Sequence, residues 1–314
     1  GRAVAVRRGV PGAARPEPRQ RRVKPVGTPR SAEPAVAAGR SDVARRIDVP
    51  TPPFWGSRVV KGLSLAEVSG WLDHRATFVG QWGLKPVAGG PSYDELVETE
   101  ALPRLRQWLD RIHTENLVEP AVVYGYWPCH SEGNDLIVGY AEDPGRELVR
   151  FSWPRQSRDR HLCLADYFRD AQEAAELGPD VIALQLVTMG EAASQATAKL
   201  FAADAYRDYL ELHGLSVQLA EALAEYWHAR IRAELGLSGD GDLDHMLRDQ
   251  AYRGSRYSFG YPACPELSDR AKLVALLEPE RISVSLSEEW QLHPEQSTDA
   301  IIVHHPEAKY FNAG

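Results

Sequence analysis

The sequence of 314 residues is poor in the residues that mark disulfide-rich, metal-binding and membrane proteins. It has three cysteines, Cys129, Cys163 and Cys264, which are too few and too scattered for a disulfide framework or a zinc site. No apolar run approaches the ~20 residues that span a bilayer, and the arginine-rich N-terminus lacks the apolar segment of a secretory signal. The composition therefore predicts a cytoplasmic globular protein with reduced thiols and no membrane partner.

Large apolar side chains are absent from the beginning of the chain. Residues 1–46 contain no Leu, Ile, Met, Phe, Tyr or Trp and are rich in Pro, Arg, Ala and Gly. Such a segment cannot bury enough apolar surface to offset the entropy lost on ordering. We therefore predict a disordered basic linker over residues 1–48 and a folded domain over residues 49–314. Because the chain begins with Gly1 rather than Met, we expect it to be a piece of a longer protein.

The formal net charge of -8 is divided unevenly along the chain. Residues 1–46 carry 12 Lys/Arg and 3 Asp/Glu, whereas the remainder carries 24 basic and 41 acidic residues. An acidic body disfavours nucleic acid as the main partner, because phosphate binding needs a basic surface. The basic tail leaves nucleic acid or an anionic surface open as a less favoured alternative.

Hydrophobic patterning predicts both strands and long helices. The predicted strands are 121–126, 135–140, 148–153, 181–187, 282–286 and 300–303, and the predicted helices are 65–71, 94–113, 191–212 and 217–235. Gly133-Asn134 indicates a hairpin turn between the first two strands, and His213-Gly214 is expected to separate the two longest helices. Strands that cluster early and late indicate an α+β fold with a largely antiparallel twisted sheet. The glycine-rich Gly239–Asp242 follows no strand, which disfavours a Rossmann fold.

The segment 253–265 has the composition of a stiff, irregular ligand-binding loop. Arg256 offers a planar fork of donors that suits a carboxylate, and Gly260 allows a ligand to approach the main chain. Tyr257 and Tyr261 offer flat faces and hydroxyl groups. The residues alone leave open a structural turn in which the arginine pairs with a local aspartate.

With its Arg253-Gly-Ser-Arg256 and Gly260-Tyr-Pro-Ala-Cys-Pro265, this segment resembles part of a known domain family. It is similar to the S-adenosylmethionine-binding stretch of the activation, or reactivation, domain of cobalamin-dependent methionine synthases. Four further segments resemble that family in the same order, namely 71–85, 163–167, 220–228 and 305–311. The commoner family pattern has Pro-Ala-Pro where this chain has Tyr257-Ser258-Phe259, so different side chains are offered to a ligand there.

The resemblance implies a set of ligand contacts. Contacts with S-adenosyl-L-methionine are implied for Asp73, Arg256, Ser258, Gly260, Tyr261, Tyr310 and Phe311. The carboxylate of this ligand suits Arg256, its ammonium and sulfonium groups suit Asp73, and its adenine suits an aromatic wall. The sequence alone equally allows Asp73 to be a surface or capping carboxylate. The resemblance also places Glu221 near the face that meets cobalamin.

The function implied by the resemblance is the reductive reactivation of methionine synthase, a methyltransferase. The domain would bind adenosylmethionine and present its methyl group to reduced cobalamin on a separate, cobalamin-binding domain. The implied electron donor is flavodoxin-like or another flavoprotein, and zinc would belong only to a homocysteine-binding module that this chain lacks. The chain alone is not expected to make methionine from homocysteine. The alternative is a sensor or partner-docking module that binds adenosylmethionine without methyl transfer.

A polar stripe on the second long helix, made of Glu221, Glu225, His228 and Arg232, has one further interpretation. Glu225-x-x-His228 is the spacing of carboxylate-bridged di-iron ligands, but such a site needs a second copy of the motif. The sequence has no second copy, so we expect no metal here.

Overall fold

An antiparallel sheet of seven strands organises residues 39–237 and 252–313, the part of the chain that the computed structural model describes. Its strands are β1 (Gly56–Lys61), β2 (Ala121–Glu132), β3 (Asp135–Gly139), β4 (Glu147–Ser152), β5 (Asp180–Thr188), β6 (Ser255–Tyr257) and β9 (Ser297–Val303). The order is β4-β3-β2-β5-β9-β6, with β1 also paired to β2. The short β7 (Ser285–Leu286) and β8 (Leu292–His293) pair separately. The predicted α+β fold with an antiparallel sheet is confirmed.

Seven helices accompany the sheet in the described residues. They are α1 (Leu65–Ser69), α2 (Tyr93–Leu96), α3 (Leu102–Thr114), α4 (Ala171–Leu177), α5 (Glu191–Ala202), α6 (Tyr206–Glu234) and α7 (Arg270–Leu277). Short π-helical segments span Ala76–Gln81 and Val97–Ala101, and 3-10 turns span Leu164–Tyr167, Leu267–Asp269 and Pro279–Ile282. None of these helices combines the length and apolar character needed to cross a membrane.

Each face of the sheet covers its own hydrophobic core. Side chains alternate between the two faces along a strand. Ala300 and Ile302 of β9 pack with α3 and α6, and we call this side of the sheet the helix-covered face. Ile301 and Val303 point the other way, into a core that contains Leu273 of α7 and defines the opposite face. The central strand β5 is buried along its whole length, as its continuous apolar run predicts.

Most of the predicted elements are present, but one predicted helix break is wrong. The hairpin turns at Gly133 and Asn134 as expected. The long helices separate near Asp204, which has a φ of 57°, and α6 continues through Gly214. A Cβ at Gly214 would lie 2.7 Å from the Cβ of Gln81. Glycine therefore allows the Ala76–Gln81 segment to approach α6 and does not end the helix.

The predicted strand over residues 282–286 is also largely wrong. Pro279–Ile282 forms a 3-10 turn, and Ser283 has a φ of 59° in the left-handed region. Two residues alone, Ser285–Leu286, are extended. Proline at the first position of the turn favours a helical start, and this local preference outweighs the β-branched residues that suggested a strand.

Residues 39–48, which the composition assigns to the linker, lie against the domain. Arg40 Nη2 donates to the carbonyl oxygens of Asp166 and Phe168, both at 2.7 Å. Val43 is buried, and Arg45 pairs with Glu173 at 3.0 Å. Most of these contacts are hydrogen bonds and ion pairs of arginine side chains, so a composition poor in large apolar residues does not reveal them. The linker prediction for residues 1–38 and the loop Gly239–Asp242 lie outside the described residues, and the domain boundary stays a prediction.

Candidate functional site

A cleft of about 990 Å³ opens between the segment after α1 and the middle of α6. This volume lies at the upper end of the range typical of small-molecule sites. Its charged lining residues are Asp73, Arg75, Glu221, Glu225 and Arg256, and ring surface comes from Trp71, His74 and Tyr252. The cleft therefore combines both signs of charge with aromatic surface, which suits a zwitterionic ligand with a flat group.

Arg256 bridges two carboxylates of α6. Arg256 of β6 pairs with Ile302 of β9, and this register places the Arg256 side chain on the helix-covered face. Nε donates to Glu225 Oε2 at 3.1 Å, and Nη2 donates to Glu221 Oε2 at 3.2 Å. The two glutamates are four residues apart and so share one face of the helix. The partners of Arg256 thus come from a distant helix, not from a local aspartate.

The protonation of this cluster follows from its pairing. Burial lowers the pKa of the Arg256 guanidinium, but Glu221 and Glu225 outweigh burial and the net pKa is raised. Burial raises the pKa of Glu225, but His228 and Arg256 outweigh it and hold this pKa at about 2. Arg256 and Glu225 are therefore both charged at neutral pH.

His228 lies fully buried beneath the cleft. Its Nδ1 is 3.8 Å from Glu225 Oε1, beyond hydrogen-bond distance, and its ring meets that of Tyr252 edge-on at 5.3 Å. The guanidinium of Arg232 stacks over the same tyrosine at 3.8 Å. Burial lowers the pKa of His228, so the ring is neutral at pH 7.

Asp73 both caps a helical segment and lines the cleft. Its Oδ1 accepts the backbone N–H of Ala76 at 2.9 Å, at the start of the Ala76–Gln81 segment. Its side chain is exposed. The capping role considered from the sequence is therefore present, and it leaves the charge of Asp73 facing the cleft.

The π-helical segment beside the cleft is tied to α6. Trp82 Nε1 donates to the carbonyl oxygen of Glu211 at 3.1 Å. Trp71 of the cleft wall packs against Tyr226 at a centroid distance of 5.7 Å. These contacts hold the wall that carries Asp73 in a fixed position relative to Glu221.

The other predicted ligand residues do not line the cleft. Ser258 Oγ donates to the carbonyl oxygen of Asp299 at 2.7 Å. Gly260 has a φ of 88° and donates its N–H to the carbonyl oxygen of Cys264 at 3.0 Å. The hydroxyl of Ser258 and the amide of Gly260 are therefore already engaged within the loop.

The aromatic residues predicted at the C-terminus lie beside this loop. Tyr257 Oη donates to the carbonyl oxygen of Lys309 at 2.8 Å. Tyr261 and Tyr310 are 58% and 59% exposed, whereas Phe311 is buried against Tyr257. The structure thus brings the two aromatic segments together outside the cleft lining, and their contact with a ligand stays a prediction.

The departure from the family pattern at Tyr257-Ser258-Phe259 has a structural explanation. Tyr257 and Phe259 are both buried in the core of the opposite face, and Phe259 stacks on Phe151 at 5.9 Å. Tyr257 and Phe259 therefore contribute to core packing and do not line the cleft.

Sequence reasoning missed Glu225 and His228 as members of the site. Their signal was the polar stripe on α6, in which Glu225 follows Glu221 by one helical turn. What the stripe could not show is that Arg256, remote in sequence, lies between the two carboxylates. Across residues 39–237 and 252–313, no group of three His, Cys, Asp or Glu side chains is arranged to hold a metal ion.

Comparison with known proteins matches the chain to a described domain family. Residues 64–314 match the family described as vitamin B12 dependent methionine synthase, activation domain. The chain is 57% identical over 308 residues to methionine synthase of Mycobacterium tuberculosis and 53% identical over 308 residues to that of Mycobacterium leprae. Each match covers 94% of this chain and 26% of the relative, so the chain spans about a quarter of the length of these relatives.

Among the solved structures that match, one shows a related domain with the same fold. It is described as the crystal structure of the MetH reactivation domain bound to AdoHcy. The TM-score is 0.75 at 24% identity, and the match covers 85% of this chain and 84% of that one. At this identity the likeness establishes the arrangement of strands and helices.

Proposed function

Since this chain belongs to the family of vitamin B12-dependent methionine synthase activation domains, we propose that it binds S-adenosylmethionine and presents its methyl group to reduced cobalamin. The cobalamin would be held by a separate domain of the same cytoplasmic enzyme. An electron from a flavodoxin-like or other flavoprotein would first reduce the oxidised, inactive cofactor. The methyl transfer would then restore methylcobalamin.

The observation that supports this proposal is the charge pattern of the cleft. Arg256 offers its guanidinium to a carboxylate, while Asp73 and Glu221 offer negative charge to cationic groups. Adenosylmethionine carries a carboxylate, an ammonium and a sulfonium, and its adenine matches the ring surface of Trp71 and Tyr252. The related MetH reactivation domain is described as bound to AdoHcy, the demethylated form of this ligand.

The task of these residues is positioning. Fixing both ends of the ligand in the cleft makes the transfer effectively local instead of bimolecular. The nucleophile is supplied by the cofactor of the neighbouring domain, so no side chain of this chain needs to act as a general base.

Calorimetric titration with adenosylmethionine tests the site. Arg256→Ala leaves a partly buried ligand carboxylate unpaired, a loss of about 2–5 kcal/mol, so we expect binding to weaken roughly 30-fold or more. Arg256→Lys should recover only part of the affinity, because an ammonium lacks the guanidinium fork. Asp73→Asn keeps an acceptor for the Ala76 amide and removes the charge, so it should weaken binding less, since Asp73 is exposed and screened.

Arg46→Ala is the matched control, because Arg46 lies in an exposed ion pair with Glu176 away from the cleft. Full-strength binding by a folded Arg256→Ala variant would show that the assignment of the site is wrong.

A second experiment separates methyl transfer from binding alone. The chain would be mixed with a cobalamin-binding domain of a methionine synthase, a chemical or flavoprotein reductant and adenosylmethionine. Methylcobalamin formation, followed by its absorbance, supports reactivation. Tight ligand binding with no methylcobalamin under conditions that reduce cobalamin would instead support the sensor or docking alternative.

A further inference from the structure

The strand that carries Arg256 has little main-chain support of its own. In the part of the chain that the structure describes, β6 is three residues long, lies at the end of the sheet and pairs with β9 alone. Gly254, directly before β6, has a φ of 90°, and a Cβ there would lie 2.6 Å from the carbonyl oxygen of Val303. A short edge strand that begins at a glycine depends on side chains to hold it in place.

Arg253 supplies such a support. Its Nε donates to the carbonyl oxygen of His304 at 3.0 Å, and its Nη2 donates to the carbonyl oxygen of Asp48 at 3.0 Å. Asp48 ends the segment of residues 39–48 that lies against the domain, which we call the strap. One guanidinium therefore joins the start of β6 both to the chain that follows β9 and to the strap.

The strap is anchored to the core on the side away from Arg253. Val43 is 3% exposed and packs into the core of the opposite face. Ser41 Oγ donates to Asp166 Oδ2 at 2.6 Å, and Asp166 is itself buried. Apolar burial and a buried hydrogen bond therefore resist displacement of the strap.

The strap also contacts the segment that leads to the predicted aromatic contacts of the ligand. The carbonyl oxygen of Ala44 accepts from His305 Nε2 at 3.0 Å, and the N–H of Ala44 donates to Glu307 Oε1 at 2.8 Å. Tyr310 follows Glu307 by three residues. The strap thus touches the chain before Tyr310 as well as the chain before Arg256, although it precedes residue 64, where the match to the family begins.

We propose that Arg253 is a positioning residue for adenosylmethionine, because by tying β6 to the strap it holds Arg256 in the arrangement that receives the ligand. The proposal rests on the proposed function, since it takes adenosylmethionine as the ligand of the cleft. Arg253 lies outside the cleft lining. Its loss therefore changes how often Arg256 is in place, not which groups the ligand meets, and the apparent affinity falls with that fraction of the molecules.

Binding kinetics of the full chain distinguish positioning from direct contact. Trp71 lines the cleft, so tryptophan fluorescence in a stopped-flow instrument can follow adenosylmethionine. Arg253→Ala should weaken binding about fivefold, as expected when the loss of two hydrogen bonds is felt in part at the site. The association rate constant should fall by this factor and the dissociation rate constant should not change, because a bound ligand itself holds Arg256 in place. Arg256→Lys, which alters a direct contact, should instead speed dissociation.

Two further variants test the connection through the strap. Arg253→Lys keeps a charged donor that can reach one of the two carbonyl oxygens, so it should restore part of the association rate. Val43→Ala loosens the strap at its buried anchor and should slow association about twofold. In the Arg253→Ala background Val43→Ala should have no further effect, because the connection to β6 is already lost.

Two controls separate this effect from general changes in stability or charge. Arg281→Ala is matched to Arg253→Ala, because Arg281 Nη2 also donates to a backbone carbonyl oxygen, that of Leu277 at 2.6 Å. Arg46→Ala removes a charge of the strap whose ion pair with Glu176 is exposed. Both variants should bind adenosylmethionine with the rate constants of the parent protein.

The outcomes distinguish this inference from the proposed function. If the parent protein does not bind adenosylmethionine, the proposed function is wrong and the inference falls with it. If the parent binds and a folded Arg253→Ala variant associates at the same rate, Arg253 does not position Arg256 and the inference alone is overturned. An equal loss in Arg281→Ala, or a change confined to dissociation, would also overturn it. If Arg253→Ala does not fold, parent-like association by both Arg253→Lys and Val43→Ala has the same meaning.

Discussion

Both faces of the sheet carry arginine–carboxylate pairs, but the two sets have different surroundings. On the opposite face, Arg270 meets Asp299 at 2.6 Å with side-chain exposures of 12% and 0%. On the helix-covered face, Arg256 is 23% exposed and its partner Glu221 is 45% exposed, beside an open cleft. The same chemistry is therefore enclosed by the core on one face and accessible from the cleft on the other. Burial, more than residue type, distinguishes the two roles.

The segments that resemble the methionine synthase family divide between the same two faces. Residues 71–85, 220–228 and 253–265 contribute lining to the cleft. Residues 163–167 and 305–311 contribute Cys163, Tyr167, Ala308 and Phe311 to the core of the opposite face. Segment similarity therefore marks both the site and the scaffold that supports it, and the fold is needed to separate them.

The largest expected effect is on the buried pair of the opposite face. Arg270→Ala leaves the carboxylate of Asp299 buried without its cation, so the free energy of unfolding should fall by about 3–5 kcal/mol. Urea denaturation measures this change. Arg46→Ala, in an exposed pair, should lose no more than about 1 kcal/mol. Equal losses in the two variants would show that burial does not set the strength of these pairs.

Removing the arginine of the helix-covered face should lower the free energy of unfolding by a smaller amount. Arg256→Met removes the cation between Glu221 and Glu225, but Glu221 can be hydrated in the cleft. We therefore expect a loss of about 1–3 kcal/mol in the free energy of unfolding, mainly from the less exposed Glu225. The same denaturation experiment applies. A loss as large as that of Arg270→Ala would mean that the cleft pair is also a structural one.

Lowering the pH should reveal a further contribution of the helix-covered face to the free energy of unfolding. Burial holds the pKa of His228 below its ordinary value of 6.5, so the unfolded chain takes up a proton near this pH before the folded chain does. The contribution of His228 to the free energy of unfolding is therefore fully present above pH 6.5. It decreases below this pH by at most about 1.4 kcal/mol per pH unit. Glu225, whose pKa is held at about 2 against an ordinary value of 4.5, adds to the loss as the pH falls below about 4.5.

The variant His228→Phe tests this assignment, because phenylalanine fills a similar space and does not titrate. Unfolding measured at pH 7.5 and pH 5.5 should show a smaller pH dependence than in the parent protein. Part of the dependence should remain, because burial also lowers the pKa of His305 on the opposite face. An unchanged dependence in His228→Phe would place the whole effect elsewhere.

The smallest expected effect concerns the close approach beside the cleft. Gly214→Ala improves helix propensity by about 1 kcal/mol, but its Cβ would lie 2.7 Å from the Cβ of Gln81. Overpacking of this kind opposes folding by about 1–3 kcal/mol, so we expect a net loss of about 1 kcal/mol. Gly80→Ala is the control, because its Cβ would meet nothing within 4 Å. A more stable Gly214→Ala protein would show that the segment is not held against α6.

Local sequence patterns predicted most helices and strands, because these elements depend on residues that are close in sequence. Turn residues at Gly133 and Asn134 and the apolar run of β5 specify structure within a few positions. The predicted helix break at Gly214 was wrong for the opposite reason. The glycine allows Gln81, which is remote in sequence, to pack closely against α6. The short extent of β7 was missed because the proline-started turn runs to Ile282 and Ser283 is left-handed, so the extended conformation begins only at Ser285.

The sequence by itself determined the α+β class, the two sided patterning of the strands and the family, including Arg256 and Asp73 as candidate ligand residues. Only the tertiary structure decided that Arg256 lies between Glu221 and Glu225, and that its sequence neighbour Tyr257 points into the opposite core. The physical reason is that periodicity fixes which face of a strand or helix a side chain occupies. The packing of β6 against β9 and beside α6 fixes which distant charge that side chain meets, and the depth of burial there fixes how far the pair is open to the cleft.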